Sequence, residues 1–168
     1  MENKFNKNEN LDFNFSPVLD VEGEEKNISL GSKCIKLINK NNNQEVGVVQ
    51  FDLPSSSDIE KLIANKFIAV NFDFKGQDLG TRLFDRLLGE SKNLGLNGVK
   101  TGSFVELNAV ASIYKLSKQG YTVIVHDEVK DLYKQFKKDY DEKKNFEGKF
   151  SVSKMDDSVF KILVKKEA

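Results

Sequence analysis

Ile68-Ala-Val-Asn-Phe-Asp-Phe-Lys-Gly-Gln-Asp-Leu-Gly-Thr-Arg-Leu83 is the stretch on which the reading of the fold turns. Its first half, with Phe67 before it, is an apolar-rich run that predicts a strand over residues 67–74. It then breaks at Gly76 and Gly80 and passes into Leu79, Leu83, Phe84, Leu87 and Leu88, whose spacing of three and four predicts a helix over residues 79–93. A strand feeding such a turn leaves the first helical amides unpaired and carrying partial positive charge. That arrangement can bind a phosphate, and the same glycines can equally serve chain geometry alone.

Working outward, Gly95 and Gly98 end the helix and open a strand through about Phe104. Asn108 suits the start of a helix through Lys118, stopped by Gly120, and residues 121–125 (Tyr-Thr-Val-Ile-Val) read as a strand. Val129, Leu132, Tyr133, Phe136 and Tyr140 mark an amphipathic helix over residues 128–143. Residues 150–153 and 159–164 alternate around the turn Met155-Asp-Asp-Ser158 and predict a closing hairpin. Upstream, residues 34–38 and 46–51 predict a hairpin around a polar turn at 40–44, and Asp58 could cap a short helix through Ala64. Leu11-Asp-Phe-Asn-Phe15 alternates as a short strand would, or as a tail pinned by a few Phe contacts. The order of elements is that of a mixed α/β sheet with helices on its faces.

The stretch 66–125, about 60 of the 168 residues, resembles the coenzyme A-binding half of the GCN5-related N-acetyltransferase (GNAT) family. Members carry Arg/Gln-x-x-Gly-x-Gly/Ala after such a strand, and Lys75-Gly76-Gln77-Asp78-Leu79-Gly80 looks like that motif in register. It departs from it at Lys75, where Arg or Gln is usual, and at Asp78, where the first motif glycine is usual. A carboxylate beside a pyrophosphate is repelled unless it points away, and it lacks the freedom of glycine. The second part of the likeness is Asn108, Ala111, Tyr114 and Gly120-Tyr121. Counted from Asn108, the usual tyrosine position falls on Lys115, and counted back from Gly120 it falls on Leu116; one residue is inserted relative to the family, which turns Tyr114 by about 100° from the family's place.

The resemblance implies a GNAT-like mixed central sheet flanked by helices, with reduced N-terminal helices, because only about 30 residues precede the hairpin, and with an extra helix near the C-terminus. It divides the chain into a flexible segment, 1–26, and an acyltransferase domain, 27–168. It implies a transferase that binds acetyl-CoA as acyl donor, with no metal. The pantetheine arm would lie along Ala69, Val70 and Asn71. The pyrophosphate would sit on Lys75, Gly76, Gln77, Asp78, Leu79, Gly80 and Thr81, with Asn108 nearby. Tyr114 is the family-like acid for the leaving thiolate, and Glu106 the first choice of base, ahead of Asp73. His126 is the only histidine, and beside Asp127 and Glu128 it reads as an exposed residue.

Lys plus Arg number 26 and Asp plus Glu number 26, so net charge makes no case for nucleic acid. Cys34 is the only cysteine, which excludes an internal disulfide and a cysteine-based metal site. No apolar run reaches the length of a membrane span and the N-terminus lacks an apolar signal, so the expectation is a cytoplasmic protein. Three functions compete. The first is acetyl transfer to an amine of a small molecule or protein. The second is an inactive GNAT-like module that binds CoA or a protein partner. The third is an unrelated α/β adaptor. The helix at 128–143 would cover a bare sheet face, wall the acceptor pocket, or make a homodimer contact.

Overall fold

The computed structural model describes residues 11–17, 32–39, 43–70 and 78–165. Its main sheet has seven strands. In chain order they are β1 (Leu11–Pro17), β2 (Ser32–Asn39), β3 (Gln44–Asp52), β4 (Leu62–Val70), β5 (Gly98–Lys100), β7 (Thr122–Val125) and β9 (Phe160–Leu163). They lie side by side as β1-β2-β3-β4-β5-β9-β7. A separate pair joins β6 (Phe104–Val105) to β8 (Phe150–Ser151). The helices are α1 (Leu79–Asn93), α2 (Leu107–Lys118) and α3 (Lys130–Asp141), and among the described residues none precedes β4. The mixed α/β architecture, and the extra helix between β7 and β9, are those expected.

The pairs β1–β2, β2–β3 and β3–β4 are antiparallel. β4 and β5 pair in parallel, and α1 is the crossover between them. α1 buries Leu79, Leu83, Phe84, Leu87 and Leu88 against the inward side chains of the sheet, among them Ile35, Leu37, Val49, Phe51, Ile63 and Val99. It stops at a glycine turn: Gly95 takes φ 72, and the Leu96 amide returns to the Ser91 carbonyl at 2.8 Å. Gly98 is required for another reason. At φ 152, a Cβ there would lie 2.1 Å from the carbonyl oxygen of Ile162 in the neighbouring β9.

Three expectations change. There is no helix over residues 58–64. Asp58 Oδ1 accepts the Glu60 amide at 3.0 Å in a local turn, and Leu62 and Ile63 are already buried in β4, so that strand begins earlier than its Phe-rich half suggested. The strand predicted from Gly98 through Phe104 is two strands. β5 ends at Lys100, Thr101 bonds across to Phe160 through both its amide and its hydroxyl, and the chain then leaves to pair with β8. The two C-terminal strands do not form a hairpin with each other. β8 joins β6, whereas β9 inserts between β5 and β7.

α3 follows a single 3-10 turn at Asp127–Val129. Tyr133 and Phe136 are its buried residues, and they enter an aromatic cluster with Tyr114, Tyr140, Phe146, Phe150 and Phe160. The helix therefore packs on α2 and on the β8–β9 end. A helix of this length holds in water only through such burial.

Candidate functional site

The parallel ladder between β4 and β5 is three residues long: Leu62 faces Gly98, Ile63 faces Val99, and Ala64 faces Lys100. Beyond Ala64, β4 continues to Val70 on β3 alone. Lys66 is an extra residue in that stretch, because Gln50 faces Phe67 while Phe51 faces Asn65. Such a bulge bends the strand. β5 meanwhile is drawn off at Thr101 toward β8 and β9. The two strands splay, and a cleft of about 730 Å³ opens between them.

One wall of the cleft is β4, from Asn65 to Ala69. The opposite wall runs from Thr101 through Glu106 into the first turns of α2, where Asn108, Ser112 and Lys115 recur at helical spacing. Its floor is the start of α1, at Asp78, Leu79 and Gly80. Among the described residues, the Asn65 side-chain oxygen is buried and has no hydrogen-bond partner. A buried acceptor left so is costly unless something donates to it.

The expected residues divide into three groups. Ala69, Asp78, Leu79, Gly80, Asn108 and Glu106 all line the cleft. Val70 closes β4 opposite Gly47, and Thr81 is buried in the first turn of α1 beside a small hollow that it shares with Asp78. Asn71, Asp73, Lys75, Gly76 and Gln77 lie outside the described residues. Glu106, rather than Asn108, occupies the N-cap of α2, and its side chain makes no capping bond. Asn108 is one residue inside the helix, so it is free of the capping role its sequence position suggested.

Tyr114 stands apart. It is 8% exposed, is absent from the cleft lining, and packs edge-on against Tyr133 and Tyr140. Its hydroxyl donates to Asp141 Oδ2 at 2.6 Å. That bond, and then burial, raise the phenol above its usual value. The geometry is that of a packing residue tying α2 to α3. The cleft-facing position at this level of α2 is held by Lys115, where counting from Asn108 puts the usual tyrosine.

Asp78, the other departure from the motif, has φ 60 and ψ 24, the left-handed conformation that favours glycine and that Asp tolerates better than most residues. Its carboxylate makes no capping bond to the helix and instead accepts from Lys115 Nζ. Burial disfavours the Lys115 charge, but the hydrogen bond and charge of Asp78, with a smaller contribution from Tyr140, outweigh it and hold the ammonium above its usual value. Gly80 has a packing reason of its own: a Cβ there would lie 2.9 Å from Ser112 Oγ, so α1 and α2 approach closely at this point.

His126 is absent from the cleft lining. Its Nδ1 accepts the Glu128 amide at 3.1 Å and its Nε2 faces Asp157 Oδ2 at 3.0 Å, while the Glu128 carboxylate takes the Ser153 hydroxyl. The ligand-type atoms of His126, Glu128 and Asp157 lie within 4.8 Å of one another. With both ring nitrogens engaged inside the protein, the cluster is a clasp between the turn before α3 and the loop between β8 and β9.

No family model and no curated protein matches the sequence. Among solved structures, the chain is similar to one from Bacillus anthracis described as a streptothricin acetyltransferase in complex with acetyl coenzyme A, at 14% identity and a TM-score of 0.49, over 90% of this chain and 70% of that one. An acetyltransferase of the GNAT family from Staphylococcus aureus is similar at 17% and 0.47, over 80% and 69%. A third, described as a GNAT-family acetyltransferase from Desulfovibrio desulfuricans, gives 12% and 0.43 over 56% of this chain, which spans 58% of that one. These are likenesses of backbone alone. By its own strand order, its parallel β4–α1–β5 crossover and the splay beyond Ala64, the chain has the GNAT-like mixed α/β fold that its sequence resemblance implied.

Proposed function

We propose that the cleft binds the pantetheine arm of an acyl-CoA along β4 with the pyrophosphate at the start of α1, and that the chain transfers an acetyl group from acetyl-CoA to an amine. The observation that carries this reading is the splay. From Asn65 onward β4 has lost its ladder on the cleft side, so its main-chain groups there are free to pair with an extended amide-bearing ligand. Asn65, whose side-chain oxygen is buried without a hydrogen-bond partner, belongs to the same lining. The first turn of α1 has neither an acidic residue nor a side-chain cap, which leaves its amides open to an anion.

In the transfer, the amine nitrogen attacks the thioester carbonyl, the carbon–sulfur bond breaks, and the amine proton is lost to a base. We assign that role to Glu106, which belongs to the cleft lining at the N-terminal end of α2. The proton for the thiolate is not assigned to Tyr114, whose hydroxyl is bound to Asp141. That same observation favours a second reading, a module that binds CoA without catalysis. Calorimetric titration with acetyl-CoA and with CoA tests the site. Ala111→Phe places a ring in the cleft and should abolish binding while circular dichroism stays unchanged; equal affinity in both proteins would put the ligand elsewhere. Thiol release with a panel of amines then separates the enzyme from the binder.

A further inference from the structure

Two cations line the described cleft, Lys66 and Lys115. Lys66 belongs to β4 and pairs with Asp52 at 3.7 Å. Lys115 comes from α2 and reaches the N-terminal end of α1, where Asp78 holds it. Asp78 sits at the N-cap, where an aspartate normally accepts from the helix amides, yet its carboxylate is turned away onto the ammonium. One turn on, Thr81 is 5% exposed and its hydroxyl oxygen has no hydrogen-bond partner. The helix start is thus left with open amides, an orphaned hydroxyl and a cation already occupied by a carboxylate belonging to the protein itself.

We propose that Lys115 is the phosphate anchor of this cleft and that Asp78 is its internal stand-in, a carboxylate that a phosphate of the ligand displaces from the ammonium on binding. The inference rests on the acyl-CoA reading of the cleft and adds to it a positioning residue and a built-in competitor. Three features support exchange. The ammonium is partly exposed, so its pair with Asp78 is a weak one that another anion can replace. The Asp78 carboxylate is the more exposed of the two, at 57% against 36%, so it can swing to water at little cost. The close contact of Gly80 with Ser112 fixes α1 against α2, so the lysine reaches the helix start without any movement of the helices.

The alternative is that Lys115 stays on Asp78 throughout and merely neutralises it. A double-mutant cycle separates the two. CoA and pantetheine, which lacks the phosphates, are titrated into the wild type, Asp78→Asn, Lys115→Met and the double variant, each checked for folding by circular dichroism. Under exchange, Asp78→Asn tightens CoA by about tenfold, because it removes a competitor. Lys115→Met weakens CoA by about tenfold or more, the scale of one charge-assisted contact, and does so in the Asp78→Asn background too. Pantetheine affinity stays within about twofold across the set. CoA binding in Asp78→Asn but not in the wild type would be the strongest form of the same result. If Lys115→Met has no effect once Asp78 is Asn, the lysine is only a neutraliser and the proposal fails, with the cleft reading intact. If neither ligand binds any of the four proteins, the cleft reading itself fails and takes the proposal with it.

Discussion

Phe136→Ala probes the part of the fold that the sequence resemblance did not cover. Phe136 is 5% exposed and lies among three rings, with centroids at 5.2 Å for Phe146, 5.8 Å for Phe150 and 5.9 Å for Tyr140. A phenylalanine buries about 150–250 Å². At about 25 cal/mol per Å², loss of most of that area costs about 3–4 kcal/mol, an upper estimate because the unfolded chain is itself partly collapsed. Ring pairing adds about 0.5–1.5 kcal/mol, and the total agrees with the range of about 3–5 kcal/mol for buried Phe→Ala changes. The site is not able to close easily, since its neighbours come from α3, β8 and the segment between them. Urea unfolding followed by far-UV circular dichroism should therefore show a loss of about 3–5 kcal/mol at unchanged m-value. Light scattering should show no change of assembly, because the ring is covered within one copy of the chain. A loss below about 1 kcal/mol would refute the packing described for α3, and a small loss with a change of oligomeric state would make the helix a subunit contact instead.

Tyr114→Phe should lower stability and leave CoA affinity, and any thiol release, unchanged; a specific fall in turnover of roughly two orders of magnitude, the scale of general acid catalysis, would restore Tyr114 to the chemistry. Gly80→Ala should destabilise by about 1–3 kcal/mol through its contact with Ser112, and Ser112→Gly should recover most of that loss in thermal unfolding; failure of the rescue would mean that the glycine serves something other than helix contact. Alkaline titration should show late phenolate formation. Burial, then a hydrogen bond to Asp85, pushes Tyr121 up to about 12, and burial pushes Tyr133 up to about 12. A raised folded-state value means that the unfolded chain loses its protons first, so stability holds up to about pH 10 and falls between about pH 10 and 12. Phenolate absorbance rising well before unfolding would contradict the packing of these rings.

Local pattern alone was enough for α1. Leu79, Leu83, Phe84, Leu87 and Leu88 lie on one stripe, and both ends of the helix agree with the reading from residue order. The same holds for the apolar face of α3, since a 3.6-residue period reports burial without knowledge of the partner. Strand pairing was a different matter. Residues 98–104 form one continuous run in the chain, and only the hydrogen bonds of Thr101 to Phe160 show where it is broken. Likewise β8 and β9 look like a hairpin because they are neighbours in sequence, but each finds a better-matched partner far away.

The cleft follows from that broken strand, so its existence was decided by tertiary structure. Which motif residues line it was legible beforehand for Asp78, Leu79 and Gly80, because a strand-turn-helix order already places them at one helix end. The direction of Tyr114 was not. One residue along a helix is about 100°, and only the packing of α3 decided that Tyr114 would turn to Asp141 and Lys115 to the cleft. Nor could composition say that Asp78 would be neutralised, because its counter-charge lies 37 residues on and meets it only where α1 and α2 touch.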